Sequence, residues 1–150
     1  MLNVNKTSFV YATYIATTPE KLWAALTNSE FTKQYFFGRE IVSDWQVGSS
    51  FKLMNKDKVD HHGEVLVCEP YRLLTVTWSV KDGEGERISK VTYELTPMNA
   101  TIKLTLRHED LLEKDIRKDE GKMEGFNNGW PAILSNLKSL LETGKTLPAF

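Results

Sequence analysis

The stretch Met123-Glu124-Gly125-Phe126-Asn127-Asn128-Gly129-Trp130-Pro131-Ala132-Ile133-Leu134-Ser135-Asn136-Leu137-Lys138-Ser139-Leu140-Leu141 decides how this chain folds. Met123, Phe126, Trp130, Ile133, Leu134, Leu137, Leu140 and Leu141 recur by threes and fours, the pattern of a helix with a single apolar stripe. Pro131 removes one backbone hydrogen bond, and Gly125 and Gly129 weaken the same region, so a kink or break is expected near Asn127 to Gly129. The apolar period runs through it, which favours one kinked helix over two unrelated ones. A stripe of this kind needs a surface to cover it.

The chain upstream supplies that surface. From about Arg39 to Glu109 the pattern is that of strands. Leu74, Val76, Trp78 and Val80 share one face; Ser89, Val91, Tyr93 and Leu95 share another; Ile102, Leu104, Leu106 and His108 form a third inward row. Glu40 to Ser43, Phe51 to Asn55, Val59 to Glu69 and Tyr71 to Val80 read as earlier strands, the third of them stopped by Pro70. Asp82-Gly83-Glu84-Gly85 is a hairpin turn, its two glycines suited to positive φ. Short turns make neighbouring strands antiparallel.

Ahead of this run stand a strand, Ser8 to Ala16, and two short helices. Phe9, Tyr11, Thr13 and Ile15 share the strand's inner face. Thr17-Thr18-Pro19-Glu20 starts the first helix, with Thr17 as the cap and Glu20 closing a capping box. Asn28 and Ser29 end it and cap the second, which buries Phe31, Tyr35 and Phe36. One sheet with one helix laid across its concave side predicts a gap between the two, and such a gap is a ligand pocket.

Composition narrows the function classes. The 150 residues form a single domain, 1–150, with 41% hydrophobic and 26% charged residues. A net charge of −1 and a pI near 6.3 carry no electrostatic footprint for nucleic acid. The alternating charges of Glu113 to Glu124 read as a solvated surface segment. Cys68 is the lone cysteine and reads as an inert buried thiol in Val65-Leu66-Val67-Cys68. Met1 to Lys6 does not resemble a signal peptide and no apolar run nears the roughly 20 residues of a membrane span, so a cytoplasmic protein is expected.

Several blocks, in this order, resemble the helix-grip superfamily that includes the steroidogenic-acute-regulatory lipid-transfer domains and the birch-pollen allergen. They are Pro19-Glu20-Lys21-Leu22-Trp23-Ala24-Ala25-Leu26-Thr27, Trp45-Gln46-Val47-Gly48-Ser49-Ser50-Phe51, Gly63-Glu64-Val65, Glu69-Pro70-Tyr71-Arg72-Leu73, Thr77-Trp78, Leu104-Thr105-Leu106-Arg107-His108 and Gly129-Trp130 followed by Leu134 and Leu137. Within that superfamily the chain is most similar to the family named for the C-terminal domain of the activator of heat shock protein 90 ATPase. Ser49 stands where the family usually has a second glycine, and Pro131 after Gly129-Trp130 is also unusual. The resemblance implies an α+β helix-grip fold, a curved antiparallel sheet wrapped around a long C-terminal helix. It also implies, for single-domain relatives, carriage or sensing of flat hydrophobic molecules, with a heat shock protein 90 chaperone as the alternative partner and an enzyme of polyketide-like ligands as a second alternative.

The ligand-lining residues expected from these readings are Trp23, Phe36, Phe51, Trp78, Tyr93, His108, Phe126 and Trp130. Core packing is the simpler account of Trp23 and Trp78. Trp130 lies on the inner helix face beside the kink, where a pocket mouth would open. His108 reads as a satisfied core or rim group, or as a polar anchor that orients a ligand; Tyr93 and Tyr11 are alternatives for that part. His61 and His62 are adjacent on a strand and point to opposite faces, so they do not share a metal ion, and none is expected. Glu64 and Glu69, five apart, read as lying on opposite faces and so unable to act as an acid–base pair. No nucleophile elbow, phosphate loop or dinucleotide fingerprint occurs, no cofactor is implied, and catalysis has no positive support.

Overall fold

A computed structural model describes residues 6–148. The expectation drawn from the N-terminal residues rests on positions 1–5 and lies outside that range. Seven antiparallel strands follow one another: β1 (Lys6–Ile15), β2 (Glu40–Ser43), β3 (Ser50–Asn55), β4 (Lys58–Glu69), β5 (Leu73–Asp82), β6 (Gly85–Met98) and β7 (Thr101–Leu112). They form one sheet in the order β1-β7-β6-β5-β4-β3-β2. Two helices, α1 (Pro19–Thr27) and α2 (Ser29–Tyr35), connect β1 to the far edge at β2, and α3 (Phe126–Thr143) closes the chain.

The three inward rows of β5, β6 and β7 are all buried, His108 completely. They meet Trp130, Leu134, Leu137 and Leu140 of α3, together with Leu22, Trp23, Leu26, Tyr35 and Phe36 from the α1–α2 pair, in one core. The far end of α3 is fastened to β1: Lys138 Nζ donates to the Tyr14 carbonyl at 2.5 Å, and Glu142 accepts from Ala16 N–H at 2.8 Å. Buried Asn136 donates to the Tyr35 carbonyl at 3.1 Å and ties α3 to α2. The helix-grip architecture expected from the resemblance is the one observed.

Several local expectations are corrected. The cap of α1 is Thr18, whose hydroxyl accepts from Lys21 N–H, and not Thr17. Pro19 forces the residue before it into extended backbone, and Thr18 at φ −105°, ψ 158° therefore takes the cap geometry. Glu20 then falls one position short of a capping box, and the Thr17 hydroxyl is buried without a partner among the described residues. In the β5–β6 hairpin only Gly83 has positive φ (63°); Gly85 is already paired with Asp82 in the strands. β5 starts at Leu73, not Tyr71, because Tyr71 adopts φ 71° in the turn.

Bulges in β4 alter two further readings. Val65 pairs with Val76 and Cys68 with Leu74, so three steps along β4 match two along β5. Both Val65 and Cys68 therefore face the core, and their neighbours Glu64 and Glu69 lie on the same outer face, not on opposite ones. A second irregularity, between the Leu53–His61 and Met54–Val59 pairs, turns the strand at Asp60. His61, paired with inward-facing Leu53 and two residues from Gly63, faces inward, and His62 faces outward, where its Nε2 meets Glu86 at 2.9 Å.

Met123 is not helical. Gly125, at φ 89°, is the cap of α3, and the helix runs unbroken from Phe126 to Thr143. Pro131 is its sixth residue, in the second turn, where the Asn127 carbonyl loses its helical donor. The Asn127 side chain ties this turn to the segment after β7: it accepts from Arg117 N–H and donates to the Arg117 carbonyl at 2.9 and 2.8 Å. Gly129 has ordinary helical φ, and an added Cβ would meet nothing closer than the Met123 carbonyl at 3.8 Å. Gly129→Ala is therefore expected to raise stability by about 0.5–1 kcal/mol, read as a higher urea midpoint with an unchanged slope.

Candidate functional site: an aromatic cavity at the start of the last helix

The space between sheet and α3 is filled along most of its length and opens at one end. There a cavity of about 430 Å³ is bounded by the link from α2 to β2, the Asp60–His61 part of β4, Trp78 of β5, the segment after β7 and the first two turns of α3. Its wall is aromatic. Phe36 lies 6.5 Å from Trp78 in a near-parallel stack and 5.9 Å from Trp130 edge-on, and Trp78 and Trp130 are 5.3 Å apart. Phe126, Ile133 and Met123 complete the apolar side.

The expected lining residues fall in three places. Phe36, Trp78, Phe126 and Trp130 border the cavity. Phe51, Tyr93 and His108 form a supporting layer behind them: Phe51 packs at 5.5 Å on Trp78, Tyr93 edge-on at 6.2 Å on Trp130, and His108 edge-on at 4.4 Å on Phe126. Trp23 lies elsewhere in the core, edge-on to Tyr71 at 6.4 Å. Burial raises the pKa of the Tyr93 phenol, which stays protonated at any ordinary pH.

His108 anchors the site from within. Trp130 Nε1–H donates to its Nδ1 at 2.9 Å, and the Ser89 hydroxyl lies 2.7 Å from its Nε2. Ser89 spends its own proton on the Trp78 carbonyl at 2.8 Å, so the proton between Ser89 and His108 belongs to His108 Nε2. The chain Trp130→His108→Ser89→Trp78 is thus fully satisfied with a neutral imidazole. Burial, aided by the charge of His61, pushes the His108 pKa down to about 3. The ring fixes Trp130 and leaves neither nitrogen free.

Polar groups line the opposite side. Arg39 Nε donates to Asp60 at 2.6 Å; burial opposes ionisation of Asp60, but the guanidinium outweighs it and holds the carboxyl below its usual range. Arg87 bridges Asp82 at 2.8 Å and Asp115 at 2.7 Å, and Lys114 joins Asp82 at 2.6 Å. This cluster fastens the segment after β7 to the β5–β6 hairpin and so places Lys114, Asp115 and Arg117 over the opening. His61 packs at 4.8 Å on Trp78, with its Nδ1 at 2.8 Å from the Ser79 carbonyl. Burial lowers its pKa, against the pull of that carbonyl and of Asp60.

Arg39, Asp60, His61 and Arg117 were not among the expected lining residues. The bulge that brings Asp60 beside the inward-facing His61 leaves no trace in an alternating pattern, and Glu113 to Glu124 reads as solvated from its charge alone. No cluster of three or more His, Cys, Asp or Glu side chains suited to a metal occurs among the described residues. Nor is any helix among them long and apolar enough to cross a membrane.

Comparison with known proteins agrees with the fold. The family described as activator of Hsp90 ATPase homolog 1-like protein matches residues 16–142. The chain is similar to protein MLL2253 from Mesorhizobium loti, with 27% identity over 90% of this chain and 96% of that one and a TM-score of 0.73. Similarity extends to CalU16 from Micromonospora echinospora (23% identity, 91% and 77% covered, TM-score 0.71). An HSP90 activator from Plasmodium falciparum is also similar (23% identity, 89% and 95% covered, TM-score 0.70). At that identity the last two likenesses speak to the fold alone. No curated protein matches the sequence.

Proposed function

The chain belongs to the activator of Hsp90 ATPase homolog 1-like family, and from that premise we propose that it binds a small flat hydrophobic or aromatic molecule, as a carrier or sensor, in the cavity at the start of α3. The observation that carries this reading is the wall of Phe36, Trp78, Phe126 and Trp130, open on one side and edged by polar groups. Its volume, about 430 Å³, falls within the range of small-molecule sites. Aromatic walls favour planar ligands, which stack or meet the rings edge-on. The His108 chain supports the same reading, because it holds Trp130 in one orientation whether or not a ligand is bound, which lowers the ordering cost of binding.

Half-buried Ile133 borders the cavity from α3. Ile133→Trp is expected to fill the space, leave the fold intact and weaken binding of a flat aromatic probe such as 2-naphthol at least tenfold by fluorescence titration. Undiminished binding in that variant would place the ligand elsewhere.

A second reading is a protein-binding module that acts on heat shock protein 90. Family membership favours it, as do the exposed Val42 and Val47, which flank the half-buried Trp45. Failure of a stoichiometric excess of the protein to stimulate the chaperone's ATPase would remove this reading.

A further inference from the structure

Most polar side chains around the cavity are already engaged: Arg39 with Asp60, Lys114 with Asp82, and Asp115 with Arg87. His61 is different. Its Nδ1 faces the Ser79 carbonyl at 2.8 Å, and a carbonyl only accepts. The neutral ring must therefore carry its proton on Nδ1, which leaves the Nε2 lone pair without a partner among the described residues. Stacking on Trp78 at 4.8 Å and the strand pairing of His61 with Leu53 hold the ring in place. A fixed imidazole acceptor thus stands in the wall of an aromatic cavity.

We infer that His61 Nε2 accepts a hydrogen bond from a hydroxyl of the ligand, so that the cavity selects planar aromatic alcohols over ethers and hydrocarbons of the same shape. The inference rests on the reading of the cavity as a ligand site. A hydroxyl conjugated to the ring is a strong donor that lies in the ring plane, so it can reach an acceptor at the cavity wall while the ring stays against Trp78 and Phe126. An ether oxygen in the same place would set two lone pairs against each other, and a hydrocarbon would leave the imidazole unpaired in a partly dried site. Unpaired buried polar groups are the strongest basis for discrimination between close analogues.

The test uses the full chain at pH 7.5 with three probes of one shape: 2-naphthol, 2-methoxynaphthalene and naphthalene. Naphthol is expected to bind at least tenfold more tightly than its methyl ether. The preference should vanish in His61→Phe, which keeps a ring on Trp78 and removes the acceptor. In the wild-type protein, naphthol should shift the ¹⁵N resonance of His61 Nε2 and leave that of His108 Nε2 in place. Equal affinity for naphthol and ether, a preference that survives His61→Phe, or an unmoved Nε2 resonance on saturation would each overturn the role of His61 while leaving the cavity as a ligand site. The ¹⁵N reading decides if the variant does not fold. Absence of binding by all three probes would overturn both readings.

Discussion

Gly63→Ala is expected to cost on the order of 3–5 kcal/mol, a large share of the about 5–15 kcal/mol that keeps a domain folded. Gly63 sits in the middle of β4, opposite Phe51 of β3. A Cβ at this position would overlap the Thr77 carbonyl oxygen and come within 2.7 Å of the Thr77 carbonyl carbon and hydroxyl. All are held in place: Thr77 pairs with Lys90 in the centre of the sheet, and its hydroxyl accepts from Glu64 N–H at 2.8 Å. No flexible side chain can move aside, so relief would require β4 and β5 to separate. That separation would also displace Trp78, the next residue along β5. Chemical denaturation followed by far-ultraviolet circular dichroism reads the effect directly; a loss below about 1 kcal/mol would mean that the two strands are less tightly apposed than described.

The second large effect is an acid-side loss of stability from His108. In the unfolded chain a histidine titrates near 6.5, whereas burial in the native core pushes His108 down to about 3. Above pH 6.5 both states are neutral and the residue adds no pH dependence. As pH falls from 6.5 towards 3 the unfolded state takes up a proton that the folded state refuses, so stability falls with pH by roughly 1.4 kcal/mol per unit. By pH 5 the loss from this residue is about 2 kcal/mol. His61, also lowered by burial, acts in the same direction. His108→Asn retains one donor and one acceptor, and the variant is expected to be less stable at pH 7 by about 1–3 kcal/mol. Its dependence on pH between 6 and 4.5 should be shallower than that of the parent by about one proton. Identical slopes in the two proteins would show that His108 is already protonated in the native state.

These two residues also illustrate how far the sequence can be read. The inward rows of β5 to β7 and the stripe of α3 are plain in the period of their apolar residues, and His108 is legible as an inward group because it follows Leu104 and Leu106 at even spacing. Periodicity gives the face of a side chain, however, and not what lies above that face. Phe51 and Tyr93 point inward as surely as Trp78, yet they pack behind it, because the cavity exists only where the first turns of α3 and the segment after β7 stand clear of the sheet. That clearance depends on a bulge at Asp60, on Gly125 starting the helix late and on the Arg87 cluster. Each involves contacts between residues far apart in sequence or backbone angles that no pattern of hydrophobicity encodes. A separate bulge in β4, between Val65 and Val67, puts Glu64 and Glu69 on one face where simple alternation separates them. Pro131 does not split the last helix, which runs as one element from Phe126 to Thr143, as the continuous apolar period indicates.

The most direct measurement of the central claim is an ¹⁵N-edited NMR titration that follows the four tryptophan indole N–H signals while 2-naphthol is added. Trp78 and Trp130 border the cavity, whereas Trp23 packs against Tyr71 and Trp45 donates to the Thr27 carbonyl at 2.9 Å, away from it. Saturable shifts of the Trp78 and Trp130 indoles, with those of Trp23 and Trp45 unmoved, are the predicted result. Shifts confined to Trp23 or Trp45, or no shift in any of the four at saturating probe, would contradict a ligand cavity at the start of α3.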